Sequence, residues 1–319
     1  MLLAAVLLAA CNGSDDVSDL PDGSGSAKAD EIRLNADVWH VMEGTRATTY
    51  SNATDLQTEA QFKCTAYLEN SLTPYISTTT VDWDNGDNRW EFNHGSDHYY
   101  WPASGNLDFF AYMPETPPTY ITTGPTYTAD HNVTFTCTSL PMTNAGQGSS
   151  LKEFMLGMAL AQNKDNAGTG VPLTFQHPFA RIKLQLAASH PNVTINSITF
   201  RGIKNNGSFT YNHSASTSTW TPSDDATNFV LSLTGNAAVF DNNPATPTQI
   251  GEYYIMIPQN WAGEIVVNAD CLFWGEKKNY PSLTTTVPTN WQPGYSYTYT
   301  FTINPDNLIV NISKFTEQW

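Results

Sequence analysis

Basic residues are scarce in this chain: 14 Lys and Arg face 30 Asp and Glu in 319 residues, for a formal net charge of −16. A field of that sign repels phosphates and anionic headgroups, so nucleic acid is not expected as a partner. Charge of either sign is thin, at 14% of residues, which argues against long solvated helices. Cysteine is rarer still, at positions 11, 64, 137 and 271, without the Cys-x-x-Cys or Cys/His spacing that builds a zinc centre. Cys64, Cys137 and Cys271 therefore admit two readings, a disulfide among them or small buried core residues. No later segment is apolar for the eighteen or so residues a membrane-spanning helix needs. Gly-x-Ser-x-Gly, His-Glu-x-x-His and the Walker loop are all missing. The chain is accordingly read as no enzyme, with no cofactor, although acid pairs for glycoside hydrolysis have no fixed sequence spacing and stay open.

Aromatics, by contrast, are abundant: 15 Tyr, 15 Phe and 9 Trp. With many Thr and Val they favour pleated structure. They read either as sugar-stacking platforms or as core fillers and cross-strand pairs. The length favours two cores, with one long sandwich as the other option.

Leu2 to Ala10 form an apolar run that stops at Cys11, too short to span a bilayer and suited to a secretory signal. Leu8-Ala9-Ala10-Cys11 resembles a bacterial lipobox, which implies a signal peptide over residues 1–10 and acylation of Cys11 into outer-membrane lipid. No Lys or Arg precedes the run, so either the start lies upstream or the basic region is unusually short; the other reading is a cytosolic protein with an apolar start. Residues 11–29 read as an acidic Ser/Gly-rich tether that cannot fold by itself. Its opening, Asn12 to Asp16, resembles the surface-export signal of some Gram-negative lipoproteins.

Beyond the tether, Ile32, Leu34, Ala36, Val38 and Met42 recur with the period of a half-buried strand. Strands are expected at 62–68, 79–83, 88–92, 107–113 and 133–138, separated by Gly, Pro, Asn and Asp clusters. After the polar stretch 161–170 the pattern restarts at Leu173, so a boundary is expected at 168, giving domains 30–168 and 169–319. Further strands follow at 182–186, 193–201, 229–233, 253–258, 264–273, 295–303 and 308–312.

Asp82-Trp83-Asp84-Asn85-Gly86-Asp87 invites a calcium-loop reading, but Gly86 falls one place early and Asn93 stands where Glu is required. A hairpin turn with positive φ at Asn85-Gly86 is the better reading. His94, Asp97 and His98 share a loop, as ligands for a divalent metal or as solvated residues; the latter is preferred and no metal site is assigned.

Tyr99-Tyr100-Trp101-Pro102 followed by Leu107 to Pro114 resembles the amino-terminal signature of the fimbrillin family of lipoprotein pilins. Leu173-Thr174-Phe175-Gln176-His177-Pro178-Phe179-Ala180-Arg181-Ile182, Tyr254 to Gln259 and Pro293 to Tyr299 resemble its second domain. The resemblance implies two transthyretin-like β-sandwich domains in tandem, outer-membrane export, a place in surface fimbriae, and maturation by a protease cutting after an Arg near the first strand. Arg46, before Ala47, sits where that cut falls. Cutting there removes Ile32, Leu34, Val38 and Met42 and leaves a groove that a strand of another fimbrial subunit refills. Leu308, Val310 and Ile312 are the candidate donor strand, unless that strand pairs permanently in its own domain. A host receptor or glycan is a further candidate partner. The rival reading is a surface lipoprotein that handles host or dietary glycans, and a third is a sandwich protein that never polymerises.

Overall fold

The computed structural model describes residues 31–38, 54, 56–57, 61–69, 71–128, 130–148, 151–187, 193–213, 215–233, 238–240, 247–273, 276–304 and 307–318. The protein is all-β: its named elements are strands, apart from a 3-10 turn at Asn93–Gly95. The amino-terminal strands are β1 (Leu34–Val38), β2 (Gln61–Leu68), β3 (Pro74–Asp84), β4 (Arg89–Phe92), β5 (Leu107–Met113), β6 (Ile121–Tyr127), β7 (Val133–Cys137), β8 (Met155–Gln162) and β9 (Val171–Gln176). Next come β10 (Ala180–Leu186), β11 (Val193–Ile203), β12 (Gly207–Asn212), β13 (Thr217–Pro222), β14 (Thr227–Ser232), β15 (Ala238–Phe240) and β16 (Thr248–Met256). The carboxyl end adds β17 (Asn260–Trp261), β18 (Glu264–Phe273), β19 (Glu276–Thr286), β20 (Thr289–Asn290), β21 (Tyr295–Asn304) and β22 (Asn307–Gln318).

Period-two alternation explains the strands locally. In β10, Ile182, Leu184 and Leu186 are buried while Lys183 and Gln185 lie between them at intermediate exposure. The same alternation buries Val133, Phe135 and Cys137 in β7.

Three cores result. The first lies inside a sheet closed in the order β1-β4-β3-β2-β5-β8-β9, in which β1 and β9 run parallel and the other described neighbours antiparallel. Phe62, Trp90, Phe109 and Phe175 fill it. The second lies between the sheets β16-β10-β21-β22 and β14-β11-β18-β19, a sandwich in which Phe200 of β11 meets Tyr299 of β21 edge-on at 5.1 Å. The third lies under a sheet ordered β13-β12-β7-β6, which takes two strands from each half of the chain. There Phe135 stacks on Phe209 at 4.8 Å and meets Trp220 edge-on at 5.4 Å.

The boundary expected at 168 falls in the loop between β8 and β9. Leu173 and Phe175 do not begin a new core; they are buried in the first one, because β9 lies beside β8 and β1. The first sheet therefore runs through Gln176, and the third sheet joins the halves instead of leaving a bare linker. Cys64, Cys137 and Cys271 are free buried thiols, one in each core, so the disulfide reading gives way to the packing one.

Candidate functional site

The site of interest is the seat of β1. Ile32, Leu34 and Ala36 point into the first core and are 3%, 5% and 2% exposed, whereas Asn35 and Asp37 face out. Along one edge β1 runs parallel to β9 from Leu34↔Val171 to Val38↔Phe175; along the other it meets β4 at Leu34↔Trp90. Gly170 lies where the two chains pass closest: a Cβ there would sit 3.1 Å from the carbonyl carbon of Leu34. A larger residue there would require the Leu34 backbone to give by a few tenths of an ångström.

The start of β1 is held from the loop after β4. Ile32 N donates to Tyr99 O at 2.7 Å, Glu31 bridges to Tyr100, and His98 Nδ1 lies 2.5 Å from Glu31 Oε1. Tyr75 Oη donates to Tyr100 O at 2.8 Å, and Tyr99 packs edge-on against Phe92 at 5.0 Å. The Tyr99-Tyr100-Trp101 motif thus clamps the first strand.

The second-half motifs form a junction. His177 Nδ1 lies 3.0 Å from the buried Glu153 Oε1, and Arg181 donates Nε to Ser296 Oγ at 3.2 Å beneath the Tyr253 ring. Burial lowers the Arg181 pKa, opposed by the neighbouring Tyr253 and Glu153. Gly294, with φ +71°, donates its N–H to Phe179 O at 2.9 Å.

The candidate donor residues lie in β22, the edge strand of its sheet, antiparallel to β21 with Leu308↔Ile303, Val310↔Phe301 and Ile312↔Tyr299. Val310 and Ile312 are half-buried against the second core. Cys11, Met42, Arg46 and Ala47 lie outside the described residues, as does the side chain of Val38.

The two loop constellations resolve as packing. His94 Nδ1 is 3.3 Å from Asp82 Oδ2, whereas His98 faces Glu31, so the two imidazoles do not converge. The hairpin between β3 and β4 is present, but its positive φ falls at Asn88 (51°), the last residue of a four-residue loop in which Asp84 Oδ1 accepts the Gly86 N–H at 2.7 Å. Asp84, Asp87 and Glu91 lie near one another, and Arg89 answers two of them: Nη2 is 3.1 Å from Asp87 Oδ2 and Nε donates to Glu91 Oε1 at 2.6 Å. Opposite on the sheet, the Lys63 ammonium and Thr80 hydroxyl bond Glu115 and hold its carboxyl below the usual range.

The sequence reading missed β6, β8, β12, β13, β15, β17, β19 and β20. For β12 and β13 a signal exists, since Phe209 and Tyr211 recur at period two and Trp220 sits mid-strand.

Sandwich layers, a clamped first strand and an edge strand at the far end define a β-rich assembly module rather than a catalytic centre. The fimbrillin-like family pattern matches residues 45–319, and the chain belongs to that family. Among solved structures, a fimbrial protein from Bacteroides vulgatus is similar with a TM-score of 0.63 at 15% identity, over 90% of this chain and 100% of that one. A candidate cell adhesion protein from Bacteroides ovatus gives a TM-score of 0.50 at 15% identity, over 91% and 97%. The tip fimbrial protein Mfa3 from Porphyromonas gingivalis gives 0.43 at 11%, over 91% and 100%. At these identities the likeness is one of fold. No curated protein matches in sequence. Family membership supports a structural, non-enzymatic fimbrial subunit at the cell surface.

Proposed function

We propose that the chain is an exported lipoprotein pilin, acylated at Cys11, cut by a maturing protease after Arg46, and polymerised when a neighbouring subunit's strand fills the seat of β1. The observation that carries this reading is the position of β1. It closes the first sheet between β4 and β9 and lies wholly upstream of Arg46. Removing Ile32 and Leu34 forfeits about 1.5–3 kcal/mol each, roughly 3–6 kcal/mol together. That is comparable to the ~5–15 kcal/mol net stability of a whole domain. The emptied seat has two unpaired strand edges and an apolar floor, which recruit an extended segment. Leu308, Val310 and Ile312 alternate as such a segment must, and among the described residues β22 pairs with β21 alone. Amino-terminal sequencing of the surface form tests the proposal. Ala47 as first residue is expected, with Arg46→Ala folded, lipidated and unpolymerised; laddered multimers from that variant would refute the cleavage step.

A further inference from the structure

One cavity is unrelated to the β1 seat. It is an open cleft of about 830 Å³ between the β12–β13 hairpin and the β17–β20 end of the second sandwich, within the size of small-ligand sites at junctions. Its chemistry is unlike that of the molecule around it. In a chain with net charge −16 the described lining residues include no Asp or Glu, and Lys204 is the one Lys or Arg among them. That lysine already faces Asp224 at 3.7 Å. Carboxamides and hydroxyls dominate instead. Asn260 and Asn290 stand directly opposite each other across β17 and β20, both exposed, while Thr217 and Thr219 are exposed on the facing wall.

The floor is aromatic and fixed. Trp220 Nε1 donates to Pro178 O at 2.5 Å, and Trp291 Nε1 donates to Tyr299 Oη at 2.9 Å. Both indole N–H groups are thus engaged within the protein. Tyr211, half-buried at the rim, adds a ring that packs against the third core. Paired carboxamides and hydroxyls match vicinal sugar hydroxyls as donors and acceptors, and an aromatic rim covers the apolar face of a pyranose. The carboxylates that reach the lining, Asp224 beside Lys204 and Glu153 beside His177, each face a basic side chain, and among the described residues the cleft supplies no acid pair for glycosidic cleavage.

We infer that this cleft binds a neutral oligosaccharide and does not cleave it. Such a site goes beyond subunit joining and operates on the unassembled chain, so its failure leaves the β1 proposal untouched. The test is an array of neutral, sialylated and uronic oligosaccharides probed with the purified full chain, followed by calorimetric titration of the tightest neutral binder. Asn290→Ala and Tyr211→Ala are each expected to weaken binding about tenfold or more, with melting unchanged for Asn290→Ala. Leu72→Ser, at an exposed position on the β2–β3 turn, is expected to leave it unchanged. If Tyr211→Ala fails to fold, Asn260→Ala takes its place. The proposal is overturned by an array with no hit, by hits confined to acidic glycans, or by affinities that ignore all three cleft variants. A strand of a second copy cross-linking to Thr219→Cys at the unpaired edge of β13 would also overturn it.

Discussion

Leu34 of β1 stands opposite Trp90 of β4, and among the described residues this is the pair that closes the first sheet. On its other edge β1 has five register pairs with β9, so attachment is lopsided and β9 is the principal partner. Crowding that edge should unseat the strand without disturbing the rest. Gly170→Val, whose Cβ would press on the Leu34 backbone, is expected to speed amide exchange across 34–38 and leave the second sandwich unchanged. Uniform exchange throughout would show that β1 is not a separable unit.

Leu34→Ala follows from the same seat. In the full chain it should cost about 2–5 kcal/mol, as buried Leu truncations do. Once a protease has cut after Arg46, the same substitution should have no effect on the stability of the remainder, because the residue is gone. Denaturant titrations before and after cleavage check both halves of the statement.

The buried acids set an alkaline limit. Burial pushes the thiols of Cys64 and Cys137 up to about 12 and that of Cys271 up to about 11, from 9.0. Burial likewise raises the Tyr299 phenol. The folded state favours the protonated forms, so their contribution is fully present below the unfolded pKa and is lost as pH rises through the folded values. Melting temperature should therefore hold steady up to pH 9 and fall from there towards pH 12. The thiols should resist disulfide reagents at pH 8 until denaturant is added; labelling of the native protein would contradict their placement.

How much of this was legible in the sequence depends on whether the signal is local. β5 at Leu107–Met113 and β18 at Glu264–Phe273 fall where alternation and turn residues put them. β8, Met-Leu-Gly-Met-Ala-Leu-Ala-Gln, carries no β-branched residue and gives no strand signal, although β5 and β9 flank it in the sheet. The polar stretch after it reads as a domain boundary because a loop inside one sheet has the same composition as a linker. At the site, β1 itself shows in its period-two spacing. Leu173 and Phe175 of β9 show the same spacing, but the parallel pairing of β9 with β1 is fixed by tertiary packing and leaves no local signal. The third sheet, where β7 pairs antiparallel with β12 from the other half of the chain, was hidden because a long-range pairing leaves no local signal.

Gln147 shows how the halves are joined. Its side chain is buried at 1% exposure, donates Nε2 to Pro141 O at 2.6 Å and to Ile255 O at 2.9 Å, and accepts the Ile255 N–H at 2.7 Å through Oε1. The amide thus pairs with β16 as a neighbouring strand would. Gln147→Ala leaves the Ile255 N–H and C=O buried without partners, at about 1–3 kcal/mol each. A loss below ~1 kcal/mol in chemical denaturation would mean that water replaces the amide.

The last strand allows monomer packing to be separated from subunit joining. Val310 lies opposite Phe301 at the sheet edge and is only half-buried, while its neighbour Ile309 is 41% exposed. In the isolated chain a carboxylate at position 310 still reaches water, so Val310→Asp should lower melting modestly. In a neighbour's β1 seat the same carboxylate would be enclosed by Trp90, Leu173 and Phe175, where an unpaired charge is far more costly. Filament length by electron microscopy should therefore collapse under Val310→Asp much more than melting does. Ile309→Asp, on the opposite parity of the strand, should leave filaments at normal length. Equal effects from the two substitutions, or full-length filaments from Val310→Asp, would remove β22 as the donor while leaving the cleavage step to stand or fall by Arg46.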